Sequence, residues 1–294
     1  MDGHATQEDS GWTALRWLRA ARVIHPFPTG LNVAATAALA GIAVDGVPAA
    51  ADLARLTVAM FCVQAAIGAS NDYWDRDLDA ITKPYKPIVR GLIEPKVALL
   101  LAAVLAIVAG ALTATFGPLS LAVGACGLLA GLAYNVRLKR SVLSALPFMV
   151  ALPALPFWVW ISLDQFANEL WWLVAFGPLI GLSVHLSNTA PDLEQDRQAG
   201  VRGLAHVLGL ERTLAIAWGS FAAALVLAVA LGLRLDYDWP LFLLGAGVAA
   251  VLLVAAMGAY ALRRSEDALQ LGFGLIGIAT AVLAGAWLTF GQLG

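Results

Sequence analysis

The sequence predicts an all-α, polytopic membrane protein with about nine transmembrane helices, and three observations carry that prediction. Only 13% of the 294 residues are charged, about half the ~25% usual in soluble domains. Mean hydropathy is +0.79. The apolar residues gather into runs close to the ~20 residues that cross a hydrocarbon core, separated by short polar breaks. Those runs fall at residues 23–44, 54–71, 97–116, 119–136, 142–163, 170–189, 212–233, 239–262 and 267–290.

Each element has a local justification. Ahead of the first span, Trp12, Leu15, Trp17 and Leu18 alternate with Arg16, Arg19 and Arg22, as in an amphipathic segment lying on a membrane surface. Met1 to Gly11 is polar and acidic, so no cleavable leader is expected. The first span opens at Arg22-Val23-Ile24-His25-Pro26, where proline is tolerated because the first helical N–H groups lack partners anyway. The second span runs into the charged stretch Asn71-Asp72-Tyr73-Trp74-Asp75-Arg76-Asp77-Leu78-Asp79, and a loop carrying Lys83, Lys86 and Arg90 follows. Gly117-Pro118 joins spans three and four, and span four ends at Tyr134-Asn135-Val136-Arg137-Leu138-Lys139-Arg140. Span five contains Pro147, Pro153 and Pro156; span six delivers Asn188-Thr189-Ala190-Pro191-Asp192-Leu193-Glu194-Gln195-Asp196. Trp158, Trp160, Trp171 and Trp172 are expected to form an aromatic belt at the outer end of spans five and six. Spans seven to nine are nearly featureless, and Cys62 and Cys126 read as packing residues.

With the N-terminus inside, 16 of the 18 Lys and Arg fall in inner segments, leaving Arg55 and Arg234 outside. The positive-inside rule therefore predicts N-terminus in, C-terminus out, in the cytoplasmic membrane, with both acidic stretches on the cytoplasmic side. Membrane lipids are the expected surroundings, and a net charge of −2 argues against a nucleic-acid partner.

Continued as a helix, the first stretch puts Asp72, Asp75 and Asp79 on one face and turns Asp77 away. Three convergent carboxylates repel one another unless a cation sits among them. In the second stretch Asn188, Asp192 and Asp196 share a face by the same reasoning, and Glu194 lies opposite. Ser70-Asn71-x-x-x-Asp75-x-x-x-Asp79 matches Ser187-Asn188-x-x-x-Asp192-x-x-x-Asp196, and Val89-Arg90-Gly91-Leu92 matches Val201-Arg202-Gly203-Leu204. Four spans separate the copies, as in a parallel internal repeat about an axis along the membrane normal. The plain alternative is solvated loop charge, with Asn71 as a helix N-cap.

Carboxylates ringed by bases suit an anion held through a divalent ion, and Mg²⁺ is bound by one or two carboxylates together with substrate phosphates. A Mg²⁺–diphosphate headgroup beside an apolar bundle describes a prenyl diphosphate. Its chemistry is loss of diphosphate to leave an allylic cation, shielded from water and faced by aromatic rings such as Tyr73, Trp74, Tyr134, Phe148, Phe157 or Trp158.

At these residues the chain resembles the UbiA family of intramembrane prenyltransferases, marked by Asn-Asp-x-x-Asp-x-x-x-Asp after the second helix and a second aspartate motif after the sixth. The resemblance implies one transmembrane domain over residues 1–294, with nine helices around a central cavity. It implies that Asp72, Asp75, Asp79, Asp192 and Asp196 bind Mg²⁺, with Asp72, Asp75, Asp192 and Tyr134 catalytic. It further implies that Asn71, Lys83, Lys86, Arg90, Lys139, Asn188 and Arg202 bind diphosphate, and that Arg22 lies at the acceptor end. Two departures stand out: Asn188 leads the second motif, and Tyr134-Asn135-Val136-Arg137 lacks the two prolines many members carry after a Tyr-Ser. The expected activity is transfer of a prenyl group from its diphosphate to a lipophilic or aromatic acceptor; a terpene cyclase and a membrane transporter are the alternatives. His185 is expected to be a packed or hydrogen-bonded helix contact, and His25 either lies near the acceptor or is interfacial.

Overall fold

Proline sets many of the helix starts, because its missing N–H costs nothing in a first helical turn. The computed structural model describes residues 16, 18–198, 200–234 and 238–290, and these form helices and turns with no strand. A 3₁₀ turn, Ala21–Ile24, precedes α1, Pro26–Ala43; α2 runs from Ala50 to Thr82, α3 from Pro95 to Ala114, and α4 from Pro118 to Val136. α5, Leu146–Ser162, and α6, Leu173–Thr189, are followed by two short helices, α7, Leu193–Gln198, and α8, Leu204–Leu208. α9, Leu210–Gly232, α10, Trp239–Arg263, and α11, Glu266–Phe290, complete the described chain.

Among the described residues seven helices are long and apolar enough to cross a membrane, and α1 and α5, at the first and fifth expected spans, do not meet both conditions. α5 has only 17 residues, and α1 carries Thr29, Asn32 and Thr36 within its length. The second span is much longer than its apolar run: α2 extends through the whole charged stretch to Thr82.

Packing follows the rule for helices in lipid, where no hydrophobic force separates helix from acyl chain and small residues let backbones approach. Ala59, Ala65, Ala66 and Ala69 of α2 and Ala217, Ala224 and Ala228 of α9 are fully buried, while Ile107, Val226 and Val251 point outward. The protein is an integral membrane protein.

The chain packs as two compact units: residues up to 37 with 50–115, and residues 38–49 with 116–294. In the first, α2 lies along α3, and Val23, Ala69, Ile88, Ala98 and Ala102 form a core. In the second, α5 packs between α4 and α6, and α6 contacts α9 and α11. A Gly-x-x-x-Gly spacing on α6 permits its approach to α5: a Cβ at Gly177 would lie 2.7 Å from Pro153 Cβ, and one at Gly181 2.5 Å from the Phe148 carbonyl oxygen.

Two expectations need correction. Trp158 and Trp160 are buried side chains of α5, whereas Trp171 and Trp172 are exposed, so the belt is not made of all four. Cys126 is exposed, unlike Cys62. Of the amphipathic lead-in, Trp12, Leu15 and Trp17 lie outside the described residues, while Arg16, Leu18 and Arg19 are exposed.

Candidate active site

Because α2 remains helical to Thr82, the spacing of its carboxylates becomes a physical face. Asp72, Asp75 and Asp79 are buried, whereas the Asp77 side chain is 90% exposed. On the outer side Arg76 lies 5.0 Å over the Tyr73 ring. Asn71 sits inside the helix rather than at its start, which removes the N-cap reading; its Nδ2 donates to Asp75 Oδ2 at 2.9 Å.

The loop after α2 folds back on that face. Backbone N–H groups of Lys86, Arg90 and Leu92 donate to the carbonyls of Lys83, Lys86 and Pro87, and Gly91 takes φ +67°, a left-handed value that suits glycine. These turns insert Lys86, whose Nζ lies 2.6 Å from Asp72 Oδ1 and 3.0 Å from Asp79 Oδ2. It also donates to Asn71 Oδ1 at 3.2 Å. Burial pulls the Lys86 pKa down, but Asp72 and Asp79 outweigh it and the net shift is upward. From the opposite side, His25 Nε2 donates to the same Asp72 oxygen at 2.8 Å. Asp72 Oδ2 is buried and accepts no hydrogen bond among the described residues.

Three carboxylates share one buried helix face, where like charges repel one another and a cation between them is favoured. No three His, Cys, Asp or Glu side chains among the described residues converge into a ready-made metal cage. Mg²⁺ does not need one, since it takes one or two carboxylates and completes its shell with water and phosphate oxygens. Clustered carboxylate oxygens and an unpartnered oxygen on Asp72 fit such an ion.

The second stretch takes another form. Pro191 has no N–H to donate and would crowd the Ser187 carbonyl, so α6 ends at Thr189 and helix resumes at Leu193. Asn188, Asp192 and Asp196 therefore do not share one continuous helical face, contrary to the spacing argument. Asn188 is exposed, and Asp192 and Asp196 are half-buried.

The chain after α7 is anchored from below. Leu204 N–H donates to Ser144 Oγ at 3.1 Å, and that hydroxyl is 2.9 Å from His185 Nε2 on α6. A Cβ at Gly203 would come within 2.8 Å of the Lys139 carbonyl. Gly203 N–H donates to His206 Nδ1 at 3.2 Å. Burial lowers the His206 pKa, with Asp196 opposing and Arg197 assisting. His185 is thus the hydrogen-bonded helix contact expected of it. Tyr134, in the last turn of α4, meets the Phe148 ring edge-on at 5.4 Å and the His185 ring at 6.0 Å.

Among the basic candidates, Lys86 enters the acidic cluster; Lys83 and Lys139 are half-buried, and Arg22, Arg90 and Arg202 are exposed. His25, expected near the acceptor or at the interface, instead meets Asp72, and Ser144 is a residue that sequence reasoning left unassigned. A cavity of about 500 Å³ opens beside Trp171 and Trp172, and none of the candidate residues lines it.

The family model described as the UbiA prenyltransferase family matches residues 32–283. A digeranylgeranylglyceryl phosphate synthase of Natronomonas pharaonis is 31% identical over 184 residues, covering 62% of this chain and 66% of that protein. The bacteriochlorophyll synthase 33 kDa chain of Cereibacter sphaeroides is 32% identical over 197 residues, covering 64% of this chain and 63% of that protein. Both matches span just under two thirds of the relative's length. A solved UbiA homolog from Archaeoglobus fulgidus, bound to GPP and Mg²⁺, shares the fold with a TM-score of 0.66 at 16% identity, over 90% of this chain and 99% of that one.

Proposed function

The chain belongs to the UbiA prenyltransferase family, and from that premise we propose that it transfers a prenyl group from a prenyl diphosphate to a lipophilic or aromatic acceptor, with Mg²⁺. The observation that carries this reading is the buried acidic face of α2 with the unpartnered Asp72 Oδ2. The solved homolog bound to GPP and Mg²⁺ supports the prenyl donor and the ion, while the relatives are named for different products.

In this reading Asp72, Asp75 and Asp79 of the first stretch and Asp192 and Asp196 of the second hold Mg²⁺. When bound, the ion neutralises the departing diphosphate. Asn71, Asn188, Lys83, Lys86, Arg90, Lys139 and Arg202 bind diphosphate oxygens, where charged donors make the stronger hydrogen bonds. Lys86, with its side chain 13% exposed against the carboxylates, has already lost most of its water, so its ammonium needs little further desolvation when an anion arrives. Tyr134 offers a ring face to the allylic cation, and Arg22 lies toward the acceptor. Residues 1–294 act as one transmembrane domain in the cytoplasmic membrane, N-terminus inside and C-terminus outside, with the site open to the cytoplasm.

The test is to incubate purified protein with Mg²⁺ and labelled prenyl diphosphates in native lipid extract, then weigh the labelled product. A prenylated lipid or aromatic product, lost when Mg²⁺ is chelated, is expected. Recovery of every diphosphate intact would overturn the reading, and a cyclic hydrocarbon made without acceptor would replace transfer by cyclisation.

A further inference from the structure

We propose that His25 is a positioning residue that holds the Asp72 carboxylate so that Oδ2 stays available to the metal ion; the inference rests on the Mg²⁺–diphosphate reading above.

Asp72 Oδ1 receives two donors, His25 Nε2 at 2.8 Å and Lys86 Nζ at 2.6 Å, whereas Oδ2 receives none and is buried. A carboxylate oxygen is an acceptor only, so the His25 nitrogen facing it carries the proton. With two donors on one oxygen, the carboxylate is locked in rotation. Without His25 the group can turn and offer both oxygens to Lys86, and the ammonium then competes with a metal ion for the same charge.

The bend that delivers His25 is built independently of its imidazole. His25 takes φ +50° and ψ +68°, left-handed values rarely adopted by a residue with a side chain. Its N–H donates to the Arg22 carbonyl, and on the far side the buried Thr29 donates from its hydroxyl to the Ile24 carbonyl at 2.7 Å and from its N–H to the His25 carbonyl. Gly68, one helical turn before Asp72, makes the crossing possible. A Cβ there would come within 3.1 Å of the Ile24 carbonyl carbon and 3.2 Å of His25 Cγ. The left-handed value is that of a helix C-cap, here closing the 3₁₀ turn, whereas the close approach at Gly68 is what sets His25 over α2.

Metal affinity commonly falls ~10–100-fold when a residue that orients a ligating group is lost. The experiment titrates Mn²⁺ in the presence of inorganic pyrophosphate, by electron paramagnetic resonance, against wild type, His25→Leu, His25→Gln and His25→Asn. Gln places an amide N–H near the position of Nε2, whereas Asn falls short of it. His25→Leu and His25→Asn are expected to weaken Mn²⁺ binding about 10-fold or more, with His25→Gln close to wild type. In turnover, the Mg²⁺ needed for half-maximal rate rises by the same factor while the rate at saturating Mg²⁺ changes much less. Should His25→Leu fail to fold, the Gln and Asn pair carries the test. Equal Mn²⁺ affinity across the set, or equal weakening in Gln and Asn, overturns the role of His25. A wild type that binds no Mn²⁺ with pyrophosphate overturns the metal reading itself and the inference with it.

Discussion

Aligned on Asn71 and Asn188, the two acidic stretches share their Asn-x-x-x-Asp-x-x-x-Asp spacing, yet they are built differently. Where the first has Asp72 the second has Thr189, and where the first has Trp74 the second has Pro191. Trp74 lets α2 run on, so three carboxylates are buried on one face, Asp72 and Asp79 held by Lys86, Asp72 also by His25, and Asp75 by Asn71. Pro191 ends α6, and the Thr189 hydroxyl turns back to the His185 carbonyl at 2.9 Å, leaving Asp192 and Asp196 half-buried around a turn. Equal spacing in sequence gives equal geometry only while the backbone keeps one period.

The largest effect is expected when one carboxylate is removed from each stretch. Asp72→Ala and Asp192→Ala should each lower prenyl transfer about 1000-fold, a loss in the range seen when a charge-stabilising group is deleted, with the fold retained by size-exclusion; Asp72→Ala, which takes a buried partner from Lys86, also lowers the melting midpoint. Full activity in Asp192→Ala would show that the broken stretch is a scaffold.

The bases are next. Lys86→Met leaves Asp72 and Asp79 buried with less compensation and should cost about 3–5 kcal/mol, read as a lowered melting midpoint. Arg202→Met, at an exposed position, should stay within about 0.5 kcal/mol. Equal destabilisation would erase the distinction between a buried clamp and a solvated base.

Exchanging the backbone signal follows. Trp74→Pro removes a helix hydrogen bond and crowds the Ser70 carbonyl, for a loss of about 3 kcal/mol. Pro191→Ala should change stability by less than about 1 kcal/mol, because the chain there already turns. A melt in which both variants behave alike would contradict the contrast between continuous and broken helix.

The smallest effect is in pH dependence, and its sign differs between the units. Lys86 has its pKa raised above 10.5, so its stabilisation is complete below that pH and is lost as pH rises through the folded value. His206 has its pKa lowered below 6.5, so the folded state binds its proton later than the unfolded chain, and stability falls as pH drops from there toward the folded value. Melting of metal-free Lys86→Met and His206→Gln across pH should remove the alkaline and the acid limb respectively. A limb unchanged by its variant would assign that titration elsewhere.

Much of the architecture was legible from hydropathy, because lipid demands long apolar helices and leaves little choice of element. That the helix of the second span continues through Asp79 was a condition of the spacing argument, and α2 meets it by running to Thr82, since charges end an apolar run without ending a helix. Pro191 was visible in the sequence, but helical spacing was read straight through it. The loop after α2 shows a different limit: Lys83, Lys86 and Arg90 are alike in sequence, and the turns that bury Lys86 exist only once the loop has folded back. His25 lies 47 residues from Asp72, and nothing local connects them.

By itself the sequence determined the kind of molecule: helices in a membrane, an acidic stretch repeated with the same spacing, and bases placed after each copy. Those follow from composition and period, which act along the chain. Only the tertiary structure decided which donor meets which carboxylate, that Asp72 keeps one oxygen free while the other is held twice, and that the second stretch is broken. Hydrogen bonds and ion pairs act over about 3 Å, so partners remote in sequence are chosen by packing, here by a glycine that lets one turn cross a helix.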